Sequence, residues 1–149
     1  MSSPKMIFVN LPVADLDRAE AFYTAIGATR DDRFCGPTGR CMALSDTIYV
    51  MILTQDFFST FTPKGIADSS KEIEGLFCLS ADSAAQVDTI VEAGAAAGGK
   101  ADPGPKQEHG PMYGRSVEDP DGHHWEVMWM DVEAFLAAQA GQSDEPVTA

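Results

Sequence analysis

The residues with the clearest chemical potential lie in the stretch EDPDGHHWEV, residues 118–127. A turn sequence, Asp-Pro-Asp-Gly at 119–122, is followed directly by His123, His124 and Glu126. Imidazole and carboxylate groups spaced in this way on a strand could bind a divalent metal, or could move protons to and from a bound molecule. Either chemistry needs further groups from elsewhere in the chain.

The composition indicates one soluble domain with an acidic surface. The chain has 149 residues, with 23 acidic against 10 basic side chains and a formal net charge of -13. That charge repels nucleic-acid backbones and anionic lipid, so we expect neither nucleic acid nor membrane as a partner. No apolar run approaches the ~20 residues of a membrane span, and the first residues do not resemble a secretory signal. We therefore expect a cytoplasmic protein.

The first part of the chain has the pattern of a strand, a helix and further strands. The β-rich run 6–13 precedes a segment, 14–28, whose apolar residues recur at helical spacing. Asp15 is placed to cap this helix and Gly27 to end it. Extended sequence follows, ending in TIYVMILT at 47–54.

The second part of the chain repeats this order. The run 75–80 is again β-rich, and 81–95 again has helical spacing, with Asp82 or Ser83 as cap and Gly94 as stop. Extended sequence then leads into a hairpin around the Asp-Pro-Asp-Gly turn. Two consecutive βαβββ units are the simplest account.

The duplication divides the chain into four expected segments. They are a first module over 5–56, a Phe-rich connector over 57–71, a second module over 72–131, and a C-terminal helix with a frayed tail over 132–149. The connector phenylalanines, Phe57, Phe58 and Phe61, either roof a cavity or form core beneath the connector. Cys35, Cys41 and Cys78 show no CxxC spacing, so we expect reduced thiols.

Several motifs resemble one known superfamily. The first helix, VADLDRAEAFYTAIG, and the ending DPDGHHWE resemble the vicinal oxygen chelate superfamily of glyoxalase I, bleomycin- and fosfomycin-resistance proteins and extradiol dioxygenases. IFVNLPV, IYVMILT, MYGR and WEVMWMD together resemble its predicted lactoylglutathione lyases. The resemblance spans about residues 5–131. It implies an α+β fold in which two tandem modules form a curved, incomplete barrel around a ligand cavity, and a homodimer that completes the pockets.

The resemblance also implies metal ligands from the first and last strand of each module. Those positions fall, in chain order, on Phe8, Ile52, Leu76 and Glu126. Of these residues Glu126 alone carries a donor atom, and one carboxylate does not hold a divalent ion against water. If the register of the ligand positions is shifted by one residue, they fall on Val9, Met51 and Phe77 or Gly75, which are no better as ligands. We therefore expect no metal and no other cofactor.

Strand parity around the final turn predicts an ion pair. If the hairpin closes on Pro120-Asp121, Arg115 lies opposite Glu126. Glu126 is then a candidate catalytic base and Arg115 a candidate partner for an anionic substrate group. Alternatively, the pair is internal and serves to hold the strand register.

The same parity predicts the lining of the cavity. The expected ligand-binding residues are Phe8, Asn10, Ile52, Leu76, Cys78, Tyr113, His124 and Met128. His123 is expected to be solvated beside the turn. His109 either reaches the cavity from its loop or is an ordinary surface histidine.

Two functions are compatible with these patterns. In the first, the protein binds a small, largely apolar organic molecule without a metal, as its resemblance to bleomycin-resistance proteins implies. In the second, it is a lyase or isomerase of the glyoxalase I type, using Glu126 as base or a metal held by ligands other than those counted above.

Overall fold

The computed structural model describes residues 2–141, in which two βαβββ modules follow one another. The first module consists of β1 (Ile7–Val13), α1 (Leu16–Ala25), β2 (Thr29–Arg30), β3 (Gly39–Ala43) and β4 (Ile48–Thr54). A 3-10 turn, Asp32–Phe34, lies between β2 and β3. The connector begins with a short helix, α2 (Gln55–Phe58), and a second 3-10 turn, Ser59–Phe61.

The second module repeats the first, with one short strand added. It consists of β5 (Leu76–Ser80), α3 (Ala84–Ala96), β6 (Lys100–Ala101), β7 (Gln107–His109), β8 (Met112–Glu118) and β9 (His124–Met130). A final helix, α4 (Val132–Ala140), follows. The frayed tail expected after it falls on residues 142–149, outside the described residues.

The two sheets have equivalent topologies. The strand order is β1-β4-β3-β2 in the first sheet and β5-β9-β8-β6 in the second, where β7 also pairs with β8. In each sheet the first and last strands of the module pair in parallel, and the other pairs are antiparallel. The predicted α+β class and the predicted duplication are thus confirmed.

Local sequence explains where the main helices begin and end. Asp15 caps α1 by accepting a hydrogen bond from the backbone N of Arg18 at 3.0 Å, and Gly27 ends the helix with φ +113°. Ser83 caps α3. Gly94 does not end α3 as predicted but lies buried inside it. A Cβ at this position would come within 2.9 Å of the Phe22 ring, so the close packing of α3 on α1 explains the glycine.

One core joins the two modules through their helices. The helices α1 and α3 pack against each other and against one face of each sheet. The buried side chains of this core include Leu11, Val13, Phe22, Tyr23, Ile52, Val87, Val91, Val117, Trp125 and Val127. The opposite face of each sheet is left open. Within residues 2–141, no helix is long and apolar enough to cross a membrane.

The final hairpin closes one residue away from the predicted register. Glu118 pairs with His124, and Asp119 and Gly122 close the turn with a backbone hydrogen bond of 3.0 Å. Gly122, with φ +93°, adds a third loop residue as a left-handed bulge, whereas the prediction assumed a two-residue turn. Arg115 therefore pairs with Val127, and Ser116 lies opposite Glu126.

Candidate functional site on the open faces of the two sheets

The open face of the second sheet brings together three of the polar residues that the sequence singled out, Cys78, His124 and Glu126. Parallel pairing sets Leu76 beside His124 and Cys78 beside Glu126. These residues lie on the face away from the core, since their neighbours Phe77, Trp125 and Val127 pack inward. A pocket of about 330 Å³ on this face is lined by Leu76, Met112, Ser116, His124, Glu126 and Met128, among others.

Glu126 supplies the carboxylate among the residues that line this pocket. Its side chain is 46% exposed, and its Oε1 lies 3.8 Å from Nε2 of His124. Burial, and then the charge of Glu126, raise the pKa of the Cys78 thiol. The face therefore offers a carboxylate base, an imidazole and a protonated thiol. Ser116, whose Oγ accepts a hydrogen bond from the backbone N of Gly104 at 3.0 Å, adds a hydroxyl.

Arg115 is on the other face of the sheet, so the predicted pair with Glu126 is wrong. The extra loop residue Gly122 reverses the parity of β8 relative to β9. The Arg115 side chain is 5% exposed and is enclosed by Asp88 and Glu92 of α3 and by Asp102.

Three carboxylates satisfy the buried Arg115 guanidinium. Its Nε and Nη2 donate to Asp102 at 3.0 and 2.6 Å, its Nη1 to Asp88 at 3.0 Å, and its Nη2 to Glu92 at 2.7 Å. The hydroxyl of Tyr113 donates to Asp88 at 2.6 Å. That bond, and then Arg115, lower the pKa of Asp88, while Arg115 lowers the pKa of Asp102. Tyr113 thus also lies on the helix side rather than in the cavity.

The open face of the first sheet is aromatic. Phe8 and Tyr49 are neighbours in the parallel pair of β1 and β4, and their rings stack with centroids 4.9 Å apart and planes 12° apart. A pocket of about 430 Å³ beside them is also lined by Asn10 and Met51. The predicted liner Ile52 is instead fully buried in the core, because it pairs with the inward-facing Leu11.

A 3-10 turn forms another wall of this aromatic pocket. Phe34, at its end, is 59% exposed, and the Arg33 guanidinium lies 5.4 Å from the centroid of its ring. Arg33 donates to both carboxylate oxygens of Asp31, at 3.0 and 2.8 Å, which neutralises that charge beside the pocket. The pocket is therefore apolar with a few polar groups at its edge.

The other histidines differ in their surroundings. His123 is buried, with a side chain 1% exposed, and contacts both the connector and β1, so the prediction that it is solvated is wrong. Folding of the connector over the turn encloses it. His109 is exposed and bonds to Gln107 at 2.8 Å.

The connector phenylalanines are neither buried core nor lining of these two pockets. Phe57 and Phe58 are half-buried, and Phe61 is 67% exposed. The Phe57 and Phe61 rings meet edge to face, 5.1 Å apart. The short helix α2 that carries Phe57 packs on β1 and β4.

The residues of the open faces do not fit the metal site that the resemblance implies. The first sheet presents Phe8, Tyr49 and Met51 there, and the second presents Cys78, His124 and Glu126. The Cys78 thiol has a raised pKa and is thus a poor source of thiolate. Among residues 2–141, no three His, Cys, Asp or Glu side chains are grouped so as to hold a metal ion.

Sequence reasoning missed several residues of the two pockets. Tyr49, Met51, Arg33 and Phe34 line the first pocket, and Ser116 lines the second. The run IYVMILT is apolar at nearly every position, so its pattern did not reveal which side chains point inward. Aligning Phe8 with Tyr49 as parallel neighbours would have found two of them.

Comparison with known proteins identifies the fold and the family. No curated protein matched the chain. A hypothetical protein from S. aureus shares 21% identity at a TM-score of 0.71, over 86% of this chain and 95% of the other. A glyoxalase/bleomycin resistance protein/dioxygenase family enzyme from Burkholderia phytofirmans shares 17% identity at a TM-score of 0.71, over 85% of this chain and 99% of the other. A fosfomycin resistance protein from Listeria monocytogenes shares 20% identity at a TM-score of 0.61, over 89% of this chain and 98% of the other.

These structural likenesses, all below 25% identity, agree on the βαβββ fold. The family model for the Glyoxalase/Bleomycin resistance protein/Dioxygenase superfamily matches residues 5–127, which is most of the chain. The chain therefore belongs to the glyoxalase/bleomycin resistance protein/dioxygenase superfamily.

Proposed function

We propose that this protein binds a small, largely apolar organic molecule on its open sheet faces, without a metal ion. The observation that carries the proposal is the aromatic face of the first sheet. Phe8 is 48% exposed and Phe34 59% exposed beside a pocket of about 430 Å³. Large apolar side chains gathered around a concavity are typical of a ligand site.

The two pockets suggest that a second copy of the chain completes the site. They lie on separate sheets whose inner faces both pack on the helices, so neither pocket is covered by the other module. Leu76, at the second pocket, is 61% exposed. A homodimer that brings the aromatic face of one copy against the polar face of the other would cover both and would combine stacking with hydrogen bonding. The cytoplasmic location stays a prediction.

The binding test uses Nile red, a neutral aromatic dye that fluoresces in apolar sites. We expect saturable binding that stabilises the protein against heat, because a ligand of the native state shifts the unfolding equilibrium. Phe8→Ser should weaken binding by about tenfold or more, since it removes one ring of the stacked pair.

The matched control is Leu136→Ser, which changes a 57% exposed apolar residue on α4. It should leave dye binding unchanged. Equal losses in the two variants, or no loss in either, would contradict the proposed site. Sedimentation equilibrium of the unmodified chain tests the homodimer, and a monomer at the concentrations that bind dye would refute it.

A second candidate function is a lyase or isomerase that uses Glu126 as base. The observation in its favour is the pairing of an accessible carboxylate with an imidazole, His124, at 3.8 Å in a pocket. Such a base could remove a proton from a carbon beside a carbonyl group. Incubation with the hemithioacetal of methylglyoxal and glutathione tests this reading. Thioester formation that is lost in Glu126→Gln would support it, and no turnover would exclude that substrate.

A further inference from the structure

His123 lies where three separate parts of the fold meet. Its side chain is 1% exposed. The ring Nε2 is 2.8 Å from the backbone oxygen of Pro12 in β1, and Nδ1 is 2.7 Å from Oε1 of Glu74 in the connector. His123 itself follows the turn of the final hairpin, so its ring joins the first module, the connector and the second module.

These two contacts require one more proton than a neutral imidazole carries. The Pro12 carbonyl can only accept, so Nε2 must be protonated. In a neutral ring Nδ1 would then present a lone pair to a carboxylate oxygen at 2.7 Å, which is repulsive. The contact is attractive when a proton lies between them, on either His123 or Glu74.

The surroundings of the ring are acidic. From the hairpin turn, Asp119 accepts hydrogen bonds from the backbone N of His123 at 2.9 Å and from Tyr23 of α1 at 2.7 Å. Asp121 is neutralised by Arg18 at 3.1 Å. Burial is the largest effect on the pKa of His123 and lowers it, but Asp119, the Pro12 carbonyl and Glu74 together raise it above its ordinary value.

The connector also contacts the turn directly. Ser69 donates from Oγ to the backbone oxygen of Asp121. A Cβ on Gly122 would come within 2.3 Å of the Ser69 carbonyl oxygen, so the two backbones are in close contact. Glu74 lies two residues before Leu76, and His123 lies directly before His124; Leu76 and His124 are paired residues that line the pocket of the second sheet.

We propose that His123 and Glu74 form a pH-sensitive clasp, in which one shared proton fastens the connector to β1 and to the hairpin turn. Loss of that proton in alkaline solution releases the connector and loosens the adjoining pocket. The effect on the pocket rests on the proposed function, whereas the clasp does not.

The direction of the pH effect follows from proton linkage. The folded protein holds this proton more tightly than the unfolded chain, in which a histidine has a pKa of about 6.5. The clasp therefore contributes fully below that pH and is lost as the pH rises through the higher folded value.

Tryptic cleavage of the connector after Lys64 and Lys71 measures its release. Between pH 6 and 10, cleavage of the unmodified protein should rise by up to about tenfold per pH unit above the pKa of the pair, after correction for the activity of trypsin on a free peptide. Glu74→Gln should abolish this rise, because its amide can donate to Nδ1 of neutral His123. Glu72→Gln, a neighbouring change in the connector, should leave the rise intact.

Two results would overturn the clasp. One is a Glu74→Gln protein with the same pH dependence as the unmodified chain. The other is a His123 ring that titrates, by its nitrogen chemical shifts, at or below the ordinary histidine value. A Nile red titration over the same pH range separates the proposals. Dye binding that weakens as the connector opens supports the link to the pocket, and binding independent of pH refutes it. No dye binding at any pH refutes the proposed function alone.

Discussion

The two faces of the second sheet differ in how their charged side chains are compensated. On the helix side, Arg115 is 5% exposed and each of its donor groups meets a carboxylate of Asp88, Glu92 or Asp102. On the open side, the Glu126 side chain is 46% exposed, and the basic group within 4 Å of it in the described chain is the imidazole of His124. A buried charge needs compensation from the protein, whereas an exposed one is compensated by water and stays available to a ligand.

The largest expected effect is that of Arg115→Met. It leaves three carboxylates close together without their cation, and we expect the free energy of unfolding to fall by about 2–4 kcal/mol. This expected loss is at the lower end of the range for a broken buried ion pair, because the three carboxylates can be hydrated again once the guanidinium is gone. Arg30→Met is the control, since Arg30 also contacts two carboxylates but is 39% exposed. It should cost less than about 1 kcal/mol. Urea unfolding of both variants measures the difference, and equal losses would contradict the contrast.

The next effect concerns the bulge that decides which side chains share a face. Gly122→Ala forces a side chain into a residue with φ +93° and against the Ser69 carbonyl oxygen, and should cost about 2–3 kcal/mol. Gly27→Ala is the matched control. Gly27 has φ +113° with nothing within 4 Å of the added Cβ, so backbone strain alone should cost about 1 kcal/mol. If thermal unfolding shows the same loss in both, the turn and connector are not in close contact.

A smaller effect should appear in acid. The pKa values of Asp88 and Asp102 are lowered, so their interaction with Arg115 stabilises the fold above the ordinary carboxyl pKa of about 3.9. That contribution is lost as the pH falls through the lower folded values. The difference in stability between the unmodified protein and Arg115→Met should therefore shrink between pH 6 and pH 2. A difference that stays constant over this range would show that packing, rather than charge, is responsible.

The smallest expected effect on stability is that of Glu126→Gln. Because the side chain is nearly half exposed, the free energy of unfolding should change by no more than about 0.5 kcal/mol. Any loss of ligand binding or turnover would then come from the open face itself. A destabilisation as large as that of Arg115→Met would mean that Glu126 has a structural role that its surroundings do not indicate.

Local patterns in the sequence were enough to predict the modules. Asp15 and Gly27 delimit α1 as expected, because capping and a left-handed stop depend on the residues nearest the helix end. The alternation of His124, Glu126 and Met128 outward with Trp125 and Val127 inward was also readable, because it depends on strand period alone. These predictions needed no knowledge of distant contacts.

Relations between strands were harder to predict. The position of Arg115 depends on whether the turn holds two or three residues, and the sequence Asp-Pro-Asp-Gly is compatible with both. The position of Ile52 depends on how β4 pairs with β1, and its uniformly apolar sequence does not distinguish the two registers. In both places an error of one residue moved a side chain to the opposite face.

The sequence by itself determined the family, the two βαβββ modules, both ends of α1 and the outward face of β9. The tertiary structure alone decided that Arg115 is enclosed, that Phe8 stacks on Tyr49, and that His123 is buried. The physical reason is the range of the interactions involved. Caps and strand alternation arise within a few residues, whereas the His123 ring is held by groups 49 and 111 residues away in the chain. Contacts of that range leave no local pattern, because they exist only after the connector and the two modules have packed together.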